Sequence, residues 1–118
     1  MTKPPPPDYP AVASAAQATL RQAGYRVLDH DWSSGDDGYQ LDLVAEAPGK
    51  VLVAVRVLAP SLADPERRAR TMAKSHIRRL RQAAVAWSTG HGLRYAVIQV
   101  DVFGLARDGR QVHVKAVG

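Results

Sequence analysis

The sequence predicts a mixed α/β (α+β) fold in which helices cover both faces of one β-sheet. Residues 39–58 carry two adjacent apolar strand patterns joined by a Pro48-Gly49-Lys50 turn, which is typical of a hairpin. The second strand is apolar on both faces apart from Arg56, so it needs cover on both sides. Helical patterns precede and follow this pair, which gives the element order α-β-β-β-α-β with an additional C-terminal edge strand.

The first predicted helix begins near Tyr9-Pro10, where Asp8 can serve as its N-cap, and it ends at Gly24. Its apolar face is expected to pack on the sheet and consists of Val12, Ala16 and Leu20. Residues 1–8 include four consecutive prolines and predict a disordered tail. Residues 9–118 are expected to form a single domain.

The remaining elements follow in order along the chain. Residues 25–32 predict the first strand, and the turn-forming run 33–38 leads from it into the hairpin. After a loop at residues 59–63, Asp64-Pro65-Glu66 starts a helix that is predicted to continue to about Ser88. Residues 93–103 predict a fourth strand, and residues 111–117 predict a last strand at the sheet edge.

The long helix carries two stripes of residues at spacings of three and four. The apolar stripe consists of Ala69, Ala73, Ile77, Leu80, Ala84 and Trp87. The basic stripe consists of Arg67, Arg70, Lys74, Arg78 and Arg81 and lies roughly 100° around the helix from it. Such a stripe is either a nucleic-acid contact or a solvated face. Arg68 and Arg79 are expected to point away into solvent.

Composition limits the functional classes. The 118 residues carry a formal net charge of +5 and no cysteine. The charge favours an anionic partner, most often nucleic acid, as much as it favours a plain solvated surface. The lack of cysteine excludes thiolate metal sites and suits a cytoplasmic protein. No apolar run is long enough to predict a membrane span.

Several segments together resemble a known family. They are Gly24-Tyr25-Arg26-Val27-Leu28, Gln40-Leu41-Asp42-Leu43-Val44-Ala45, Val53-Ala54-Val55-Arg56, Lys74 with the helix after it, and Arg94-Tyr95-Ala96-Val97. In this order and spacing they resemble the YraN-type family of predicted endonucleases, within the restriction-endonuclease-like PD-(D/E)XK superfamily. The resemblance implies the same α-β-β-β-α-β core that the periodicity predicts.

The family resemblance also implies a site for Mg²⁺ or Mn²⁺, in which an Asp and a Glu-x-Lys pair on neighbouring strands hold a metal beside a phosphate. Asp42 occupies the Asp position, and Lys74 matches a helix lysine of the family. However, Ala54 and Arg56 replace the Glu-x-Lys pair, and Gln40 replaces a Glu. Two further family acids align with Ala13 and Ala96.

Because carboxylates are lost while cations remain, the resemblance implies a degenerate site. The residual motif positions are Asp42, Gln40 and Arg56, and Asp42 is not expected to hold a metal alone, so no cofactor is expected. Arg56 binds phosphate well in general but cannot give up a proton as the lysine can. A plain ion pair between Asp42 and Arg56 would also explain both residues.

Three functions follow as hypotheses. The first is a protein without nuclease activity that binds DNA or RNA backbone through Arg56, Lys74, Arg70, Arg78 and Arg81. The second is an active Mg²⁺-dependent endonuclease with a rearranged site. The third is a protein-interaction or scaffold domain, in which the proline tail or the apolar last strand contacts a partner or a second copy. The four histidines have no metal-ligand spacing and are expected to be surface or locally hydrogen-bonded residues.

Overall fold

The computed structural model describes residues 9–59 and 64–118, so the predictions for the proline tail and for residues 60–63 of the loop lie outside the described residues. The described chain forms a mixed α+β domain, which confirms the predicted fold class. Its elements are α1 (Tyr9–Gln22), β1 (Arg26–Ser33), a 3₁₀ turn (Gly35–Asp37), β2 (Gln40–Ala47), β3 (Val51–Val57), α2 (Pro65–Arg70), α3 (Lys74–Gly90), β4 (Ile98–Leu105) and β5 (Gln111–Val114).

The sheet has the strand order β1-β2-β3-β4-β5. The β2–β3 pair is the predicted antiparallel hairpin, while β3 pairs with β4 in parallel through the crossover that contains α2 and α3. The predicted edge position of the last strand is confirmed, since β5 pairs with β4 alone among the described strands. β3 is therefore central, as its apolar faces predict.

Helices cover the two faces of the sheet, and each face has its own core. On one side α1 buries Val12, Ala16 and Leu20, the residues predicted for its packed face, against apolar side chains of β2, β3 and β4. On the other side α2 and α3 pack against the opposite face. This double cover explains why five of the seven residues of β3 are buried.

The prediction of one continuous helix from Asp64 to Ser88 is wrong. The chain breaks at residues 71–73, where Thr71 ends α2 and its Oγ1 donates to the Arg67 carbonyl at 2.7 Å. Ala73, expected on the apolar stripe, is exposed and extended as the N-cap of α3. The break lets α2 pack on β4 and β5 while α3 lies across β2, β3 and β4.

Two strand predictions also need correction at their ends. The fourth strand begins at Ile98 rather than at residue 93, because the chain first closes the end of α3 through the Leu93 N–H, which donates to the Ser88 carbonyl at 2.8 Å. The last strand ends at Val114 rather than at residue 117. There Ala116 takes a positive φ of 53°, and the Val117 N–H donates to the Val100 carbonyl.

No helix in the described part of the chain combines the length and the apolar composition that crossing a bilayer requires.

Candidate functional site

The hairpin places Asp42 and Arg56 side by side, one residue beyond the last β2–β3 pair of Leu43 and Val55. Arg56 Nη1 lies 3.7 Å from Asp42 Oδ2, so the ion pair considered from the sequence is formed, although its contact is long. The Arg56 side chain is 43% exposed and that of Asp42 is 19% exposed. Because water screens this pair strongly, it contributes little to stability by itself.

Asp42 has stronger bonds elsewhere. The Val57 N–H donates to its Oδ2 at 2.8 Å, and the Tyr9 hydroxyl of α1 donates a hydrogen bond to the same carboxylate. Burial, followed by this hydrogen bond and the negative charge of Asp42, raises the pKa of Tyr9 well above its usual 10.0. Asp42 thus ties the start of α1 to the end of β3.

The expected Glu position is held by Ala54, which is fully buried. Ala54 belongs to the core that includes Leu80 and Ala83 of α3, so the helix packs over the place where a metal ligand would be needed. A neighbouring cavity of about 130 Å³ opens between β2, β3 and α3. It is lined by Gly38, Gln40, Arg56, His76, Arg79, Leu80 and Ala83.

The cavity contains two guanidinium side chains and no carboxylate among its lining residues. Arg79, which was expected to point away into solvent, is exposed but fixed in place. Its Nη2 donates to the Gly38 carbonyl at 3.1 Å, and its Cζ lies 4.9 Å from the centroid of the Tyr39 ring. The sequence did not identify Arg79 as a site residue. Its hydrogen-bond partner, Gly38, lies in the turn that leads into β2.

A divalent cation does not fit these residues. Mg²⁺ requires several oxygen ligands in near-octahedral geometry, whereas among the described residues Asp42 is the carboxylate that lies beside Arg56. Its oxygens already accept hydrogen bonds from Val57 and Tyr9. Within residues 9–59 and 64–118, no three His, Asp or Glu side chains form a group that could hold a metal ion.

The other predicted binding residues lie on parts of the surface outside this cavity. Arg70 and Lys74 line a separate groove of about 300 Å³ beside the segment that follows β5. Arg70 also pairs with Glu66 at 3.0 Å. Arg78 and Arg81 are exposed on α3, with Arg81 near Gly118. The helix break thus divides the predicted basic stripe between α2 and α3.

A buried polar cluster forms a second feature, which sequence reasoning did not identify. Asp101 on β4 is fully buried and accepts hydrogen bonds from four groups. These are His113 Nε2 at 2.8 Å, Gln99 Nε2 at 2.7 Å, the Tyr25 hydroxyl at 3.0 Å and the Ala116 N–H at 3.0 Å. The signal in the sequence was an acid between Val100 and Val102, since a buried carboxylate needs several donors.

The cluster holds Asp101 in its ionised form. Burial alone raises the pKa of Asp101, but the bonds from His113, the Ala116 N–H, Gln99 and Tyr25 together lower it below its usual 3.8. Burial and the adjacent charge of Asp101 raise the pKa of Tyr25 to about 12. The four bonds join the start of β1, β4, β5 and the segment after β5, so the cluster stabilises one end of the sheet.

The fold and the first site define a small mixed α+β domain. In it, Asp42 is hydrogen-bonded within the fold and lies near a cavity lined by two arginines. The family model for the uncharacterised protein family UPF0102 matches residues 13–103. A UPF0102 protein of Mycobacterium sp. (strain KMS) is 33% identical over 93 residues, which is 78% of this chain and 67% of the relative. A UPF0102 protein of Mycobacterium sp. (strain JLS) is 32% identical over the same shares.

The chain therefore belongs to the UPF0102 family. This confirms the resemblance to the YraN-type family. The names of these relatives state a family and no activity.

Proposed function

We propose that this protein binds the phosphate backbone of DNA or RNA at the cavity formed by Gln40, Arg56, His76 and Arg79, and that it does not cleave the bound strand. The observation that carries the proposal is the content of this cavity, which combines two guanidinium groups with no lining carboxylate. Guanidinium groups bind phosphate oxygens through paired N–H donors. The net charge of +5 supports attraction of a polyanion over a longer range.

The element order supports a restriction-endonuclease-like PD-(D/E)XK ancestry for this site. In that account Asp42 is the remaining acid of the nuclease motif, and Ala54 and Arg56 occupy the Glu-x-Lys positions. Asp42 alone supplies too few oxygen ligands to hold a metal that would activate a water molecule or neutralise the phosphate. Arg56 retains the positive charge and binds the phosphate without acting as an acid or base.

The exposed cations of α3 extend the contact. Arg78 and Arg81 are exposed on this helix and can meet neighbouring phosphates. Such contacts with phosphates position the strand but carry no sequence information. The expected binding is weakly sequence-selective and strongly salt-dependent. A cytoplasmic location is part of the same proposal.

The test compares two double variants that lose the same charge. Arg56→Ala/Arg79→Ala removes both cavity guanidinium groups, and Arg94→Ala/Arg107→Ala removes two exposed arginines from loops away from the cavity. Fluorescence anisotropy with labelled single-stranded, duplex and branched DNA and with RNA should show about a tenfold or greater loss of affinity for the cavity variant. The loop variant should lose much less.

Equal losses of affinity in the two variants would show that binding depends on net charge alone, which would contradict the cavity as the binding site. Cleavage of any substrate in Mg²⁺ or Mn²⁺ that Asp42→Asn abolishes would instead support an active nuclease. Absence of binding at low salt to every nucleic acid would contradict the proposal as a whole.

A further inference from the structure

β5 presents an open sheet edge. It pairs with β4 and has no second strand neighbour within the described residues. The Leu58 N–H donates to the Phe103 carbonyl at 2.8 Å, so the main chain of Phe103 faces β3. Phe103 stands opposite His113 in the β4–β5 register, and this pair is therefore not hydrogen-bonded. The N–H and C=O of His113 consequently point away from the sheet.

Hydrogen-bonded and non-hydrogen-bonded pairs alternate along two antiparallel strands, so the pair of Gln111 and Leu105 is also not hydrogen-bonded. Gln111 and His113 thus offer two sets of outward donors and acceptors along the edge. The other edge strand, β1, differs because its register shifts between Val27 and Asp29 and Asp31 adopts a positive φ of 49°. Such irregularities protect an edge from pairing.

A groove accompanies the β5 edge. A cavity of about 500 Å³ is lined by β5 and its flanking residues together with Glu66 and Arg70 of α2. It continues into the groove of about 300 Å³ through the shared residues Arg70, Val114 and Lys115. In this second part Met72, Ile77, Val114 and Val117 provide apolar lining. The edge therefore combines main-chain hydrogen-bonding groups with space for side chains.

The charge of this surface is mainly positive. Among the described lining residues, the cations are Arg70, Lys74, Arg110 and Lys115, and the acid is Glu66, which is paired with Arg70. A second copy of the chain would bring the same cations together, which disfavours a symmetric edge-to-edge dimer. A partner with negative charge is favoured instead.

We propose that the β5 edge binds an extended acidic segment of a partner protein, which joins the sheet as an additional strand. An extended peptide matches the alternating donors and acceptors of Gln111 and His113. Its alternate side chains fit the apolar groove, and its carboxylates meet Arg110 and Lys115. A nucleic acid satisfies the cations but presents no main chain that could accept from and donate to the strand edge.

The test uses a labelled peptide that alternates valine with glutamate and a lysine version of the same peptide. Titration should show binding of the acidic peptide alone. In NMR spectra of the protein, the largest shifts should fall on the amides of Gln111 and His113. N-methylation of the peptide amides along one of its edges should abolish binding, and methylation along the other edge should leave it unchanged. This control alters no residue of the protein and therefore cannot impair its folding.

A charge-reversal pair tests the electrostatic part. Arg110→Glu should weaken peptide binding by about fivefold or more, while Arg107→Glu, in the same turn but outside the lining of the groove, should have a smaller effect. Equal binding of the acidic and basic peptides, or no effect of N-methylation, would overturn the proposal. If an oligonucleotide displaces the peptide and shifts the same amides, the occupant of this edge is a nucleic acid and the proposal is overturned. If the protein instead self-associates through these amides, the occupant is a second copy and the proposal is likewise overturned.

Discussion

Asp42 looks from the sequence like a remnant of a catalytic site, and its contacts give it a structural role. One oxygen accepts the Val57 N–H at 2.8 Å, and the carboxylate also accepts the Tyr9 hydroxyl and lies near Arg56. These bonds hold α1 and the end of β3 together. Asp42 therefore has a packing role at this motif position.

Asp42→Ala should lower the free energy of unfolding by about 2 kcal/mol, because it leaves the Val57 N–H and the Tyr9 hydroxyl without their acceptor. Asp42→Asn retains one carbonyl acceptor and should cost less. Urea denaturation measures both. Asp36→Ala, which removes an exposed acid of the preceding turn, is the control and should change stability by no more than about 0.5 kcal/mol. A loss for Asp42→Ala no greater than that of the control would contradict the anchoring role.

Asp101 makes stability depend on pH at the acidic end. Its pKa in the folded protein is lowered below the usual 3.8, so the unfolded chain binds the proton more readily. The stability that the ionised carboxylate contributes is complete above about pH 4 and is lost as the pH falls through the folded-state pKa. Acid should therefore weaken the cluster that joins Tyr25, His113 and Ala116.

Asp101→Asn should destabilise the protein by about 3 kcal/mol at neutral pH, because the donors around position 101 lose a buried charged acceptor. Its stability should also fall less steeply than that of the wild type between about pH 4 and pH 2. Urea unfolding at a series of pH values measures both effects, with Asp37→Asn as an exposed control. Parallel pH profiles for the wild type and Asp101→Asn would show that this carboxylate does not titrate as described.

At the scale of elements, the break between α2 and α3 decides where the cations lie. No local pattern indicates this break, because Ala69, Ala73 and Ile77 continue the helical spacing through residues 71–73 without a glycine or proline. The break arises from tertiary packing, since α2 and α3 follow different parts of the sheet. Periodicity over a short window cannot represent such a change of direction.

The break leaves α3 with a weak start. Ala73 is its N-cap and has no side-chain acceptor for the free N–H groups of the first turn. Ala73→Thr should therefore stabilise the protein by about 1 kcal/mol relative to Ala73→Val, which has the same shape without the hydroxyl. Thermal and urea unfolding of the matched pair test this. Equal stability would indicate that position 73 does not cap α3.

The contact of α2 with the sheet is close at Gly104. A Cβ placed on Gly104 would lie 2.9 Å from Pro65 Cβ, at the point where α2 covers β4. Gly104→Ala should destabilise the protein by about 1–3 kcal/mol because neither element can move away freely. Gly90→Ala, where a Cβ meets no atom within 4 Å, is the control and should be neutral or stabilising. A neutral Gly104→Ala would mean that α2 is loosely packed.

For the whole molecule, the sequence was sufficient for the fold class and for the central hairpin. The double-sided apolar pattern of residues 51–58 and the face formed by Val12, Ala16 and Leu20 result directly from burial, so they can be recognised locally. The Asp101 cluster joins Tyr25 to a residue 76 positions away, and Arg79 reaches a turn 41 positions away. Contacts over such separations depend on the completed sheet, which local patterns do not describe.

Two groups of cations lie on separate surfaces and have different expected partners. Arg56 and Arg79 line the cavity proposed for phosphate, while Arg110 and Lys115 line the β5 edge proposed for an acidic peptide. The two can be tested separately, since they lie on different elements. The cavity carries the central proposal, in which Arg56 and Arg79 bind phosphate while Gln40 and Ala54 stand where the family resemblance implies acids.

The most direct test of that claim is the salt dependence of binding to single-stranded DNA. The logarithm of the association constant should fall linearly with the logarithm of the salt concentration for the wild type. For Arg56→Ala/Arg79→Ala, the slope should be shallower by about 1 to 2, because two phosphate contacts and their released counterions are lost. An unchanged slope in this variant would contradict the account, since it would show that neither arginine contacts the nucleic acid.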